Sequence, residues 1–185
     1  MPDREAIQRL KNGDIGGLET LIARYQLKAV RAAYFIVQDE QTAEDIVQDT
    51  YLKIYERIRN FDESRPFEPY LLRSVVNTAL NVARQGERFA PVSNNGGLDG
   101  VENLLSQAAS VENQVEMGEI KRQILAAIAS LPARQRAVVV QRYYLDMSEH
   151  EMAAALDAAP GTVKWLLNAA RGRLRALLGK ERGGK

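Results

Sequence analysis

Four polar side chains near the C-terminus recur at the spacing of one helix face. They are Lys164, Asn168, Arg171 and Arg175, at i, i+4, i+7 and i+11. A helix turns about 100° per residue, so these positions form a single stripe, with Trp165 beside it. Cations bind phosphate oxygens, and an amide can bind a base edge. The stripe therefore indicates a contact with nucleic acid, and a solvated amphipathic helix is the alternative.

A helix-turn-helix is predicted to present this stripe. The first helix is Glu149–Leu156, preceded by Ser148, with Glu151 at the spacing of a capping box. A turn signal follows at 157–161, and the second helix runs roughly over 161–178. Two short helices joined by a tight turn, the second of them basic, are the sequence form of this DNA-binding motif.

Charge along the chain is unevenly distributed. The formal net charge of +1 argues against a uniformly basic nucleic-acid binder. Residues 1–90 nevertheless sum to −1, residues 91–118 contain four acids and no base, and residues 119–185 sum to +6. The excess of cations therefore coincides with the predicted helix-turn-helix.

Composition excludes several other classes of protein. The chain has no cysteine, and its single histidine is His150, so thiol catalysis, disulfides and a histidine metal cluster are excluded. No residue set could run a reaction, and we expect no catalytic residue, no metal and no cofactor. No apolar run approaches the ~20 residues of a membrane span. The first residues also lack the apolar core of a signal peptide, so we expect a cytoplasmic protein without membrane insertion.

Apolar residues recur at helical spacing through most of the chain, and no strand-like alternation is present. Residues 85–111 differ, because glycine, proline and asparagine cluster there. The prediction is an all-α protein of two small helical domains joined by a flexible linker, the second being the helix-turn-helix domain. The first domain covers 1–88, the linker 89–111 and the second domain 112–185.

Motifs in the C-terminal part, read in order, resemble a known family. They are LP at 131–132, QRAV at 135–138, SEHEMA at 148–153, GTVK at 161–164 and ARGRLR at 170–175. This order is similar to that in the C-terminal domain of bacterial RNA polymerase sigma factors of the extracytoplasmic-function (ECF) group.

The N-terminal part resembles the promoter-melting domain of the same group. Its motifs are GD at 13–14, YQ at 25–26, AEDIVQDTY at 43–51, FD at 61–62, FEPYL at 67–71 and VNTA at 76–79. The resemblance implies a non-catalytic subunit that binds core RNA polymerase, recognises the −35 and −10 promoter elements and helps to open the DNA. It also implies an anti-sigma protein as a regulatory partner.

A polymerase-binding face is implied on the helix around residue 50. It consists of Asp45, Gln48, Asp49, Leu52 and Glu56. These residues form an acidic-to-amide stripe opposite an apolar face, and the family implies that the stripe docks on a basic coiled coil of the largest polymerase subunit. Charges at the rim of such an interface would mostly set register and association rate. A solvated acidic face is the alternative.

For the melted −10 element, the family implies capture of a flipped base of the non-template strand by stacking and edge hydrogen bonds. The candidate residues are Phe61, Arg65, Arg73, Asn77, Asn81 and Arg84. Core packing is the alternative for Phe61, and it is the interpretation that we prefer for Tyr70. Where this chain has Asn81 the family often has Asp, and the basic run that follows in the family is reduced to Arg88.

For the duplex −35 element, the candidate residues are Thr162, Lys164, Trp165, Asn168, Arg171 and Arg175. Trp165 and Leu166 replace a small polar residue and an arginine of the family, and Ala169 replaces another arginine. The sequence preference of the family therefore does not transfer. We expect base contacts from Lys164, Trp165 and Asn168, and phosphate contacts from Arg171 and Arg175.

Two interpretations remain open. A free-standing helix-turn-helix regulator would bind duplex DNA without polymerase, although it would need neither the acidic stripe nor the −10 residues. The acids of the linker region could occupy a positively charged nucleic-acid path in the polymerase, or they could belong to a solubilising spacer. These acids are Asp99, Glu102, Glu112 and Glu116.

Overall fold

The computed structural model describes residues 2–89 and 114–182, which form eight α-helices and contain no strand. The all-α prediction is therefore confirmed over these ranges. The helices are α1 (Pro2–Lys11), α2 (Gly16–Val37), α3 (Glu40–Arg57), α4 (Phe67–Phe89), α5 (Gln114–Ala129), α6 (Ala133–Val139), α7 (Glu149–Leu156) and α8 (Pro160–Arg182). The predicted linker lies outside the described residues, except for residue 89, where α4 ends.

Helices α1 to α4 form the first domain, in which α2 packs against α1, α3 and α4. The apolar faces of α3 and α4 are buried. Gly17 permits the close approach of α2 to α1, because a Cβ at this position would lie 2.2 Å from the Ala6 carbonyl oxygen. Asp39 caps the start of α3 by accepting a hydrogen bond of 2.8 Å from the Thr42 N–H.

Helices α5 to α8 form the second domain. A wide π turn, Val140–Tyr144, follows α6 and leads the chain toward α7. A small apolar cluster lies between α6, α7 and α8. Its buried members are Val138, Met152, Ala153, Val163, Leu166 and Leu167.

The two domains pack against each other, which the sequence patterns did not predict. Ala133, Ala137 and Val140 of the second domain join the apolar core of the first. The rings of Phe35 and Tyr144 meet edge to face at 5.2 Å between centroids. The domains therefore share apolar packing in addition to their covalent tether.

Polar contacts at this interface complete two helix ends. The Glu87 carboxylate of α4 accepts a hydrogen bond of 2.7 Å from the Ala133 N–H at the start of α6. In return, the buried Arg136 of α6 donates through Nε to the Ile36 carbonyl near the end of α2, at 2.8 Å. The first N–H groups and last carbonyls of a helix lack partners inside it. Each domain thus caps a helix of the other.

Within the described ranges, no helix combines the length and the apolar character that a bilayer crossing requires.

Candidate nucleic-acid interface

Local signals in the sequence determine the geometry of the helix-turn-helix. Ser148 accepts a hydrogen bond from the Glu151 N–H, and the Glu151 carboxylate accepts one from the Ser148 N–H, so the predicted capping box is confirmed. The Ser148 hydroxyl also lowers the pKa of Glu151. Helix α7 ends at Leu156 and is followed by Asp157, whose backbone is left-handed with φ +47°, and Pro160 opens α8.

The −35 candidates all lie on α8, away from the core. Lys164, Trp165, Asn168 and Arg175 are exposed, and Thr162 is partly buried. Leu166 is buried against α6 and α7, so the replacement of the family's arginine at this position changes the core of this chain and not its exposed surface. Trp165 is therefore the larger change to the surface of α8.

Tyr143, in the π turn, orients one of the predicted phosphate contacts. The Arg171 Nε donates to the Tyr143 hydroxyl at 2.8 Å, and the guanidinium carbon lies 5.9 Å from the centroid of the tyrosine ring. Helical spacing would place Tyr143 on the same side as Val138 and Val139, which are buried, so the sequence did not indicate this contact. The π turn explains the difference, because it rotates Tyr143 away from the core and toward α8.

The −10 candidates on α4 share one face, which we call the α4 stripe. It contains Arg73, Asn77, Asn81 and Arg84, which fall within an arc of about 80°. All are exposed except Asn77, which is partly buried. Arg65 lies in the loop before α4, is exposed, and pairs with Asp62 at 3.5 Å. The stripe offers two amides and two cations to a ligand that lies along the helix.

Phe61 is buried, with only 9% of its surface exposed. Its ring packs against Phe67 at 5.9 Å and Tyr70 at 5.0 Å between centroids. The structure thus favours the packing alternative for Phe61. Tyr70 keeps 37% of its surface exposed and covers Phe61 at the start of α4.

Helix α1 holds the loop that precedes α4. Lys11 Nζ donates to the Phe61 carbonyl at 2.8 Å and pairs with Glu63 at 2.8 Å. Gln8 Nε2 donates to the other oxygen of Glu63 at 2.8 Å. The hydrogen bond from Lys11, assisted by Gln8, lowers the pKa of the Glu63 carboxyl. Helix α1 therefore holds the loop through its main chain, at Phe61, and through a side chain, at Glu63.

The predicted polymerase-binding residues form an exposed band on α3, which we call the α3 acidic stripe. Asp45, Gln48, Asp49, Leu52 and Glu56 lie within an arc of about 100° and are all exposed. Leu52, with 57% of its surface exposed, places an apolar group among the acids. Apart from Phe61 and Arg65, which precede α4, the three groups of candidates thus lie on three different helices. The linker acids Asp99, Glu102 and Glu112 lie outside the described residues.

Comparison with known proteins matches each domain to one family. A model described as Sigma-70 region 2 matches residues 21–89, and a model described as Sigma-70, region 4 matches residues 121–174. Together the two matches cover about two thirds of the chain, in the order region 2 and then region 4.

Curated relatives match the chain over most of its length. The ECF RNA polymerase sigma factor SigW of Bacillus subtilis is 27% identical and covers 95% of this chain and 96% of its own. The ECF RNA polymerase sigma-E factor of Escherichia coli K12 is 29% identical and covers 89% of this chain and 87% of its own.

Two solved structures share the fold. CnrH in complex with the cytosolic domain of CnrY has a TM-score of 0.65 and 24% identity, covering 97% of this chain and 99% of its own. The sigma factor RpoE of Bartonella quintana in complex with the anti-sigma factor NepR has a TM-score of 0.59 and 23% identity, covering 87% and 94%. At these identities the likeness concerns the fold alone. The two region matches and the full-length relatives show that this chain belongs to the sigma-70 family, among its ECF sigma factors.

Proposed function

We propose that this chain is a cytoplasmic, non-catalytic sigma factor that binds core RNA polymerase, directs it to promoters and helps to open the DNA. The observation that carries the proposal is the α4 stripe, which exposes amides and cations in the same chain as a DNA-binding helix-turn-helix. A regulator that only binds duplex DNA through a helix-turn-helix does not require a second nucleic-acid surface of this kind.

At the −35 element, α8 enters the major groove as the second helix of the motif. Lys164, Trp165 and Asn168, in its first half, reach base edges. Arg171 and Arg175, further along, bind phosphates, and Tyr143 keeps the Arg171 guanidinium oriented before DNA arrives. Phosphate contacts fix the register of the helix, and base contacts supply specificity.

At the −10 element, the α4 stripe binds the non-template strand after melting. Amides of Asn77 and Asn81 can hydrogen-bond to the exposed edge of an unpaired base, and Arg73 and Arg84 can neutralise its phosphates. The buried Phe61 supports this surface through Tyr70, and Tyr70 offers a partly exposed ring beside the stripe.

The α3 acidic stripe binds the polymerase. Its carboxylates complement a basic surface and increase the association rate, while Leu52 supplies apolar area at the centre of the stripe. We also propose an anti-sigma protein as a partner, because both similar solved structures are complexes, one of them with a named anti-sigma factor.

Run-off transcription on genomic fragments, with and without added core polymerase, tests the function. The wild-type chain should produce discrete transcripts only when core polymerase is present. Asp45→Lys with Asp49→Lys should weaken core binding at least tenfold, because cations replace two exposed acids of the α3 acidic stripe. The matched control is Glu5→Lys with Glu19→Lys, which makes the same charge change on exposed positions of α1 and α2.

Asn77→Ala tests the α4 stripe, with Asn12→Ala as an exposed asparagine outside it. Asn77→Ala should bind core polymerase normally and give less open complex, measured by permanganate reactivity of unpaired thymines. Phe61→Ala is unsuitable here, since truncating a buried phenylalanine costs about 3–5 kcal/mol of stability.

Normal melting by Asn77→Ala, or unchanged core affinity after the double charge reversal, would remove the corresponding assignment. Tight, salt-resistant binding of the isolated chain to promoter duplex would contradict the proposal as a whole. That result would favour the free-standing regulator, because a chain of net charge +1 should bind DNA weakly without the polymerase.

A further inference from the structure

Trp165 is the most exposed of the large apolar side chains in the part of the chain that the structure describes, at 65%. Its neighbours Leu166 and Leu167 are buried against Met152 of α7 and Val138 of α6. The rotation of α8 about its axis is therefore fixed by the core. As a result, Trp165 projects outward because of packing and not because of a loose side chain.

The residues next to Trp165 along this face of α8 have small side chains. Gly161 and Ala169 lie four residues before and four residues after Trp165, and Gly172 lies three residues after Ala169. Residues at these spacings are neighbours on one helix face. A Cβ added at Gly161 or at Gly172 would meet nothing within 4 Å. The indole thus stands above a shallow row of small residues, and a ligand can approach it from the exposed side.

Polar donors flank the indole on both sides, because the exposed Arg173 lies about 80° from Trp165 on the side opposite Lys164. Lys164, Asn168 and Arg175 lie within about 100° of Trp165 around the axis of α8 and are exposed. The first carboxylate after residue 160 is Glu181, close to the end of α8. This part of the surface of α8 therefore combines a large apolar group with cations and an amide, and it contains no acid.

Duplex DNA offers one apolar group on the base edges of the major groove, which is the 5-methyl group of thymine. Lysine pairs with guanine, asparagine pairs with adenine, and arginine binds phosphate. The flanking polar residues thus have polar partners on the DNA. The indole is apolar, and the thymine methyl group is the apolar partner that the base edges offer. We propose that Trp165 is a specificity residue that reads one or two thymine methyl groups in the −35 element.

This inference rests on the proposed function, since it assigns a base to the helix that enters the major groove. Removing one methyl group from an apolar contact costs about 0.8 kcal/mol, which corresponds to a loss of affinity of about three- to fivefold. A thymine read in this way should tolerate deoxyuridine with a loss of that size. A thymine that is read through hydrogen bonds alone should tolerate deoxyuridine without loss.

The test uses holoenzyme assembled from the full-length chain and core RNA polymerase of the bacterium that encodes it. Duplex promoters are first selected from a library randomised over the upstream element. Each enriched thymine is then replaced by deoxyuridine, which lacks only the methyl group, and equilibrium binding is measured. Wild-type holoenzyme should lose about three- to fivefold affinity at one or two positions, and Trp165→Ala should lose this dependence and no longer enrich thymine there.

Trp165→Phe should retain part of the thymine preference, because a smaller aromatic ring still contacts the methyl group. Leu177→Ala is the matched control, since it truncates an exposed apolar side chain three turns further along α8. Its thymine dependence should equal that of the wild type. Far-ultraviolet circular dichroism should be unchanged in all three variants, because neither position is buried.

The inference is overturned if Trp165→Ala keeps the wild-type response to deoxyuridine, or if no enriched thymine responds in the wild type. It is also overturned if Trp165→Ala weakens every duplex equally, which would indicate a contact that is independent of sequence. Failure of the proposed function looks different, because wild-type holoenzyme would then enrich no duplex at all.

Discussion

At the scale of single residues, Gln141 lacks the contacts that a buried amide requires. Its side chain is fully buried in the π turn between α6 and α7, and neither amide atom has a hydrogen-bond partner among the described residues. Burying an unpaired polar group costs about 1–3 kcal/mol. The unpaired amide should therefore lower the stability of the second domain.

Gln141→Met should raise the free energy of unfolding by about 1–2 kcal/mol, because an apolar side chain of similar length removes the unpaired amide. Urea denaturation followed by circular dichroism measures the change. Gln38→Met is the control, since the Gln38 amide donates to the Phe35 carbonyl at 2.7 Å and its loss should lower stability. A less stable Gln141→Met protein would show that this amide has a partner, such as a bound water.

At the scale of elements, α1 acts as a clamp on the loop that leads into α4. Lys11 contacts both the main chain at Phe61 and the carboxylate of Glu63. Since the folded pKa of Glu63 lies below its ordinary value of 4.5, the carboxylate form stabilises the folded protein. This stabilisation is present at neutral pH and is lost as the pH falls through the lowered pKa.

Glu63→Gln should therefore lower the urea midpoint at pH 7 and have a smaller effect at pH 3, because acid progressively neutralises the wild-type carboxyl. Measuring both proteins at both pH values isolates this residue from other carboxyl groups. Glu19→Gln, an exposed acid on α2, should show no such dependence. An equal decrease of the urea midpoint at both pH values would mean that the negative charge of Glu63 does not contribute to the clamp.

Elements with strong local signals could be predicted from the sequence. The capping box at Ser148 and the proline at residue 160 determine where α7 and α8 begin, and the prediction matches the structure there. Exposure of the α3 and α4 candidates also followed from helical spacing. The burial of Phe61 and the outward rotation of Tyr143 did not, because both depend on tertiary contacts and on a π turn that no local pattern indicates.

At the scale of the whole molecule, the tether predicted from the sequence is only part of the connection between domains. Arg136 contacts Ile36 across 100 residues of chain, and no helical spacing predicts such a contact. Burial lowers the pKa of Arg136, and nearby Glu87 opposes that shift. A compact chain of 185 residues should have a radius of gyration of about 16 Å.

Glu87→Lys should open the molecule, because it places a cation beside Arg136 and at the N-terminus of α6, where positive charge is unfavourable. Small-angle scattering should show a radius of gyration clearly above that of the wild type. Glu19→Lys makes the same change in charge away from the interface and should leave the radius unchanged. Equal radii for Glu87→Lys and wild type would show that apolar packing alone holds the domains together.

The exchange of helix caps between the domains has a thermodynamic consequence. When either domain melts, the other loses a cap, either the guanidinium at the end of α2 or the carboxylate at the start of α6. The free energies of the two domains are therefore coupled. In a calorimeter the free chain should melt in one heat-absorption peak, and a substitution in either domain should move that whole peak.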